Sequence, residues 1–206
     1  MQNTSNVFSM EKKKRISTKT LVKISILAVL AYVLMLLELP IPIFPTFLKI
    51  DLSDVPALVG GFALGPVAGV FIQLIKVLLH FITNSSTGGV GSLANFIVGS
   101  AYVVPASIIY HRKKDKVHAL LGVIAGTISM CIVGVIANIY ILIPFYSNFM
   151  PIEAIVNMGT VVNRNIVDVR TLVLYGVTPF NLVKGIVIGL VTMLIYKKVS
   201  PIIKNN

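Results

Sequence analysis

Long apolar blocks, cut by short breaks of charge, proline and glycine, make up most of the chain, and their lengths predict helices. About 20 apolar residues are needed to cross a ~30 Å hydrocarbon core as a helix. By that measure the pattern predicts spans near 21–39, 67–83, 92–110, 119–143 and 179–196. A further apolar block, 54–64, is too short to cross unaided. Asp54-Val55-Pro56 marks its start, an acidic N-cap with proline in the first turn, and Gly65-Pro66 marks its end. Thr178-Pro179 predicts the start of the last helix by the same logic. Two long connections interrupt the series. Residues 40–51 carry Pro40, Pro42 and Pro45 among apolar neighbours and are expected to fold back onto the protein. Residues 144–177 contain a predicted short helix, 152–158, and then a polar patch, 163–170. The expected fold is an all-α membrane protein: a six-transmembrane-helix bundle forming one integral membrane domain over 1–206.

Small residues add packing detail to this outline. Ala57, Gly61, Gly65 and Gly69 recur every four residues, as do Gly122 with Gly126 and Gly185 with Gly189, a spacing that lets helix backbones approach closely. Ser25, Ala28 and Ala31 form another small stripe on the first span, which makes it a candidate docking face for a membrane partner. The first apolar block is longer than a signal peptide's apolar core, and no clear small-residue cleavage site follows it, so it is expected to stay in the mature chain as a span.

Composition fits the membrane reading: 56% of the 206 residues are hydrophobic and 12% are charged. The net charge of +11 suggests nucleic acid until its distribution is considered. Lys12, Lys13, Lys14, Arg15, Lys19 and Lys23 precede or open the first span, Arg112, Lys113, Lys114 and Lys116 fill one loop, and Lys197, Lys198 and Lys204 follow the last span. With six crossings these segments share one side, the positive-inside pattern, which predicts cytoplasmic termini, a basic cytoplasmic segment at 1–18 and no nucleic-acid role. The single Cys131 has no partner for a disulfide within the chain.

Candidate chemistry is sparse. No Gly-x-x-x-x-Gly-Lys-Ser/Thr loop occurs, His80, His111 and His118 lack metal-ligand spacing, and no span holds paired carboxylates. The chain reads as a binder rather than an enzyme, with no cofactor or metal expected. Asn181 and Lys184 are three apart on the last span and so share a helix face. An ionisable side chain within a span costs about 2.5–3.5 kcal/mol on insertion scales and is by default a functional-site hypothesis. Two readings of Lys184 stand here: a group facing a ligand, or one snorkelling to the outer surface. Lys76, with Gln73 before it, reads as structural, locking the bundle by bonding carbonyls or by pairing with Asp51 or Asp54. Asn95, Tyr102, Asn138, Tyr140, Tyr146, Ser147 and Asn148 lie near outer helix ends. Carboxamides both donate and accept, which suits a neutral heterocycle, although Asn95 and Asn138 serve equally to join helices.

The runs Phe47-Leu48-Lys49-Ile50-Asp51-Leu52-Ser53-Asp54-Val55-Pro56-Ala57, Gly65-Pro66 and Gln73-Leu74-Ile75-Lys76 resemble the substrate-binding S components of energy-coupling-factor vitamin transporters. Gly91-Ser92-Leu93-Ala94-Asn95-Phe96 and Pro179-Phe180-Asn181-Leu182-Val183-Lys184-Gly185 look like those of the riboflavin-specific members. The resemblance implies a protein of the bacterial cell membrane that captures riboflavin as a transported ligand. It implies a transmembrane coupling protein and two cytoplasmic ATPases as partners. It also implies that Asn181, Lys184, Asn148 and Asn95 supply polar contacts, while the first loop, with Phe47 and Leu48, closes over the ligand. The family's Ala-x-x-x-Ala docking motif is not matched, since Ala28 and Ala31 are three apart. An S component for another vitamin and a stand-alone secondary transporter are the competing expectations.

Overall fold

The computed structural model describes residues 17–84 and 88–204; Lys12, Lys13, Lys14 and Arg15 of the basic N-terminal segment lie outside them. Helix α1 (Thr18–Leu36) opens where the Ser17 hydroxyl accepts the Thr20 N–H at 3.2 Å, an N-cap bond. The chain then forms a small hairpin. Strand β1 (Leu39–Pro40) pairs antiparallel with β2 (Lys49–Ile50), and Lys49 forms an ion pair with Glu38 beside it. The proline-rich stretch is thus closed at its base and does fold back: Phe44 is buried edge-on against Phe180, with ring centroids 5.4 Å apart.

Helix α2 (Asp54–Leu64) is the hub of the bundle. Its 11 residues rise about 16 Å, half the depth of a hydrocarbon core. Asp54 to Phe62 are all buried, because the helix packs against α1, α3 (Pro66–Asn84), α4 (Val90–Arg112) and α9 (Thr178–Lys204). Gly65, with φ at 112°, makes the turn into α3, a conformation that glycine alone adopts freely. Ser53 occupies the N-cap position rather than Asp54, whose side chain turns into the protein. Helix α5 (Lys116–Ala137) lies along α4 and α9; Gly126 permits the first contact, since a Cβ there would stand 2.6 Å from the Tyr102 carbonyl oxygen.

Two corrections concern the outer ends of the long helices. The span expected at 119–143 continues through a π-helical segment, Asn138–Leu142, into α6 (Ile143–Tyr146). The last helix does not begin at Thr178-Pro179: α8 (Val169–Leu172) and a second π segment, Val173–Val177, run into α9. The connection expected at 144–177 is therefore shorter and holds α7 (Ile152–Thr160). Each π segment lies just before a proline, Pro144 or Pro179, whose ring removes an N–H from the ladder. The wider turn is one way to absorb that loss, and the Thr178 hydroxyl adds a 3.0 Å bond to the Val173 carbonyl. Among the described residues five helical stretches are long and apolar enough to cross a membrane, two of them 31 residues long.

The docking face expected on α1 is also corrected. Ala28 and Ala31 are fully buried in the core with Leu58 and Ile72, and only Ser25 of the three is exposed. The open side of α1 includes Val22, Ile26, Val29, Leu30 and Val33. In lipid the large apolar side chains take the outer face and the small residues let helices meet.

Candidate functional site

The hairpin, α2, α3 and α9 bring four charges together. Gln73 and Lys76 share one face of α3, and Asn181 and Lys184 share one face of α9. Lys76 Nζ lies 2.9 Å from Asp54 Oδ1 and 3.0 Å from Ser53 Oγ, while Gln73 donates to the same carboxylate oxygen at 2.8 Å. Lys184 Nζ lies 2.8 Å from Asp51 Oδ2 and 3.4 Å from Asp54 Oδ2. The Ser53 N–H donates to Asp51 Oδ1 at 2.8 Å. All four charged side chains are buried. Two carboxylates and two ammonium groups balance, as desolvated charges require.

The pairing of Lys76 with Asp54 matches its structural reading. Lys184 is buried and does not snorkel to the outer surface. It is shared between two carboxylates and still borders a cavity of about 160 Å³. Asn181 and Lys184 border that cavity from α9, Asn95 from α4, and Phe47 and Leu48 from the hairpin loop. Asn138, at the start of the first π segment, reaches it from α5 while its amide donates to the Gly134 carbonyl at 2.8 Å. Gly134 also makes room for Asn181: a Cβ there would fall 2.3 Å from the Asn181 amide nitrogen. Asn95 Oδ1 is buried and has no hydrogen-bond partner among the described residues. Such an acceptor is costly to leave empty, and Asn95 also borders the cavity.

Phe47, Asn138, Leu142 and Tyr146 also border a second cavity, about 120 Å³, whose other walls are Ile143, Met150, Ile155 and Met158. The two spaces share these four walls; carboxamides border the first and mostly apolar side chains the second. Asn148 borders neither. Its side chain is exposed and donates back to the Pro144 and Phe145 carbonyls at 3.0 and 3.2 Å, closing the end of α6. Tyr102 is a core residue whose hydroxyl donates to the Gly185 carbonyl at 3.0 Å, and Tyr140 faces outward. The partners that sequence reasoning missed for Lys184 are Asp51 and Asp54. Their signal was present: two carboxylates three apart in apolar surroundings, against two intramembrane lysines.

A family model described as ECF transporter, substrate-specific component, matches residues 19–196. Riboflavin transporter RibU of Staphylococcus aureus (strain TCH60) is 36% identical over 186 residues, covering 90% of this chain and 93% of that protein. Riboflavin transporter FmnP of Bacillus subtilis (strain 168) is 36% identical over 190 residues, covering 91% and 95%. A solved structure described as "Structure and mechanism of the S component of a bacterial ECF transporter" superposes with a TM-score of 0.72 at 35% identity, covering 91% of this chain and 98% of that one.

Proposed function

We propose a riboflavin-capturing role for this chain, which belongs to the family of substrate-specific components of ECF transporters. It is a multi-pass protein of the bacterial cytoplasmic membrane that serves transport, not catalysis. The name of the family entails a larger ECF transporter, which displaces the stand-alone secondary-transporter reading. In our reading the remaining parts are one transmembrane coupling protein and two ATPases on the cytoplasmic side. The chain crosses six times, with the short α2 counted as a span, so that both termini and the basic loops share the cytoplasmic side. The vitamin then enters from outside and lies beneath the hairpin loop.

The observation that carries this reading is the unpartnered side-chain oxygen of Asn95, a residue that borders one cavity with Asn181 and Lys184, next to a second cavity with mostly apolar walls. Riboflavin presents a flat apolar ring system with a polar pyrimidine edge and a hydroxylated side chain, so one of the two cavities suits each part. Phe47 and Leu48 cover it. Lys184, neutralised by its two carboxylates, offers a directed N–H donor rather than a free positive charge.

The reading is tested by titrating riboflavin into purified protein and following quenching of its fluorescence. Asn181→Ala, Asn95→Ala and Lys184→Met are each expected to weaken binding about tenfold or more, as lost polar contacts in a dry site do. Because Lys184→Met leaves Asp51 without its partner, the two asparagine variants decide the result. Quenching at the wild-type affinity by both would refute the site. A preparation that neither carries a flavin absorption band nor quenches riboflavin would refute the ligand.

A further inference from the structure

A second groove lies away from the vitamin cleft, sharing no lining residue with it, and runs between α5 and α9 with a volume of about 280 Å³. Val123 and Thr127 form its buried floor. Gly189 lets α9 lie against that floor, since a Cβ there would stand 2.3 Å from Val123 Cγ1. Two rims stand above it: Leu120, Ile124 and Ile128 on α5, and Leu182, Ile186 and Leu190 on α9. Every rim residue is 47% to 59% exposed, so the groove is open to the surrounding medium.

The direction of the groove follows from the contacts. Gly185 meets Thr127 and Gly189 meets Val123, so α5 and α9 run antiparallel. The α5 rim repeats every four residues, and one step before Leu120 stands Lys116. On α9 the step from Gly189 and Met193 leads to Lys197, and Lys198 follows it at the same depth, two turns beyond Leu190. Antiparallel packing brings all three lysines, each exposed, to one mouth of the groove. From Leu182 to Met193 the groove is about 16 Å long, the depth of one leaflet. Its volume, spread along that length, leaves a section far narrower than the 10–12 Å of a helix.

From this geometry we infer that the α5–α9 groove is a site for an anionic phospholipid. One acyl chain lies along the groove, and the phosphate sits among Lys116, Lys197 and Lys198 at its basic mouth. A narrow apolar slot of one leaflet's depth suits a hydrocarbon chain, and basic clusters where helices meet the anionic leaflet attract its head groups. The site is independent of the vitamin reading.

Native mass spectrometry of the intact protein, released from detergent containing equal amounts of phosphatidylglycerol and phosphatidylcholine with identical chains, tests this. The wild type is expected to retain phosphatidylglycerol over phosphatidylcholine by roughly fivefold or more, the preference that three lysines near a surface support. Lys116→Gln, Lys197→Gln and Lys198→Gln together are expected to abolish that preference. Leu190→Trp, or Ile186→Trp should the first fail to run monodisperse in size-exclusion chromatography, is expected to reduce retention of both lipids. Equal retention by the wild type would overturn the proposal. So would a preference that survives the triple change, displacement of the lipid by chain-free glycerophosphate, or a filled groove that holds lipid as the wild type does.

Discussion

Asp54 and Phe62, near opposite ends of α2, lie about 12 Å apart along the helix and are held by unlike means. Around Phe62 the bundle closes with rings: Tyr110 stacks on Phe62 at 4.4 Å and Tyr196 meets both edge-on at 5.5 Å. Around Asp54 it closes with charge, four buried ionic groups joined by six short contacts to one another and to Ser53 and Gln73. Ring and small-residue packing fixes helix positions mainly by apolar contact, and the Tyr110 hydroxyl is engaged with Tyr196. An ionic cluster costs desolvation energy and is rarely the more stabilising choice, so its value lies in aiming side chains. Here it orients the α9 face that carries Asn181 and Lys184. The end of α2 that faces the cleft is the end that is polar.

That contrast is open to attack in order of effect. Asp54→Ala removes the carboxylate shared by Lys76 and Lys184, strands the Lys76 ammonium and leaves Lys184 paired with Asp51 alone. Breaking a buried pair from one side costs about 3–5 kcal/mol, so the variant should show a sharply lower melting temperature and poor yield. Gly126→Ala attacks the packed region instead, pushing a methyl group to 2.6 Å from the Tyr102 carbonyl. Overpacking of this kind costs about 1–3 kcal/mol, and the surviving folded protein should bind riboflavin with unchanged affinity. If affinity fell in step with stability, the two regions would not be separable. Gly134→Ala reverses the readout: it displaces the Asn181 amide, so affinity in the quenching titration should fall about tenfold, equivalent to about 1.4 kcal/mol, with a smaller change in melting temperature.

The mildest test lies outside both regions. Asp115 caps α5 by accepting the His118 N–H at 2.8 Å, and that bond, joined by the His118 ring, holds its carboxyl down to about 2 against an ordinary 3.8. A carboxyl lowered by folding stabilises the fold above its ordinary value and loses that contribution as pH falls through the lowered one. Asp115→Asn should therefore lower the melting temperature slightly near pH 6, with the difference shrinking between about pH 4 and pH 2. A difference independent of pH would assign the cap to geometry rather than charge.

Much of this was legible in the sequence, for identifiable reasons. Span positions follow from block lengths, because a membrane imposes them, and α2 stops at Gly65-Pro66 because that pair ends a helix in any setting. The fold-back of the proline-rich loop follows from its apolar content. That two carboxylates stood against two intramembrane lysines was legible; which lysine meets Asp51 was not, since Lys184 and Asp51 are 133 residues apart and their pairing depends on how the hairpin folds over α9. The outer ends of α5 and α9 were missed because a proline after a π turn looks the same in sequence as a proline at a helix start. Ala28 and Ala31 were placed on the wrong side by treating small residues as a surface motif, when in lipid they mark the packed face. Asn148 shared the composition of Asn95 and Asn138 but not their place, because its helix ends and it bonds its own last turn.

Each π turn accommodates one residue more than an α-helix would, and a single residue turns a helical face by roughly 100°. Removing one residue between 173 and 177 would leave Asn181 and Lys184 aimed as before while swinging Leu172 out of the cluster it shares with Ile155 and Ile166. The Val173–Val177 segment therefore works as a phase adjuster between the outer cap and the binding face. It lets one continuous rod carry two patterns set for different neighbours.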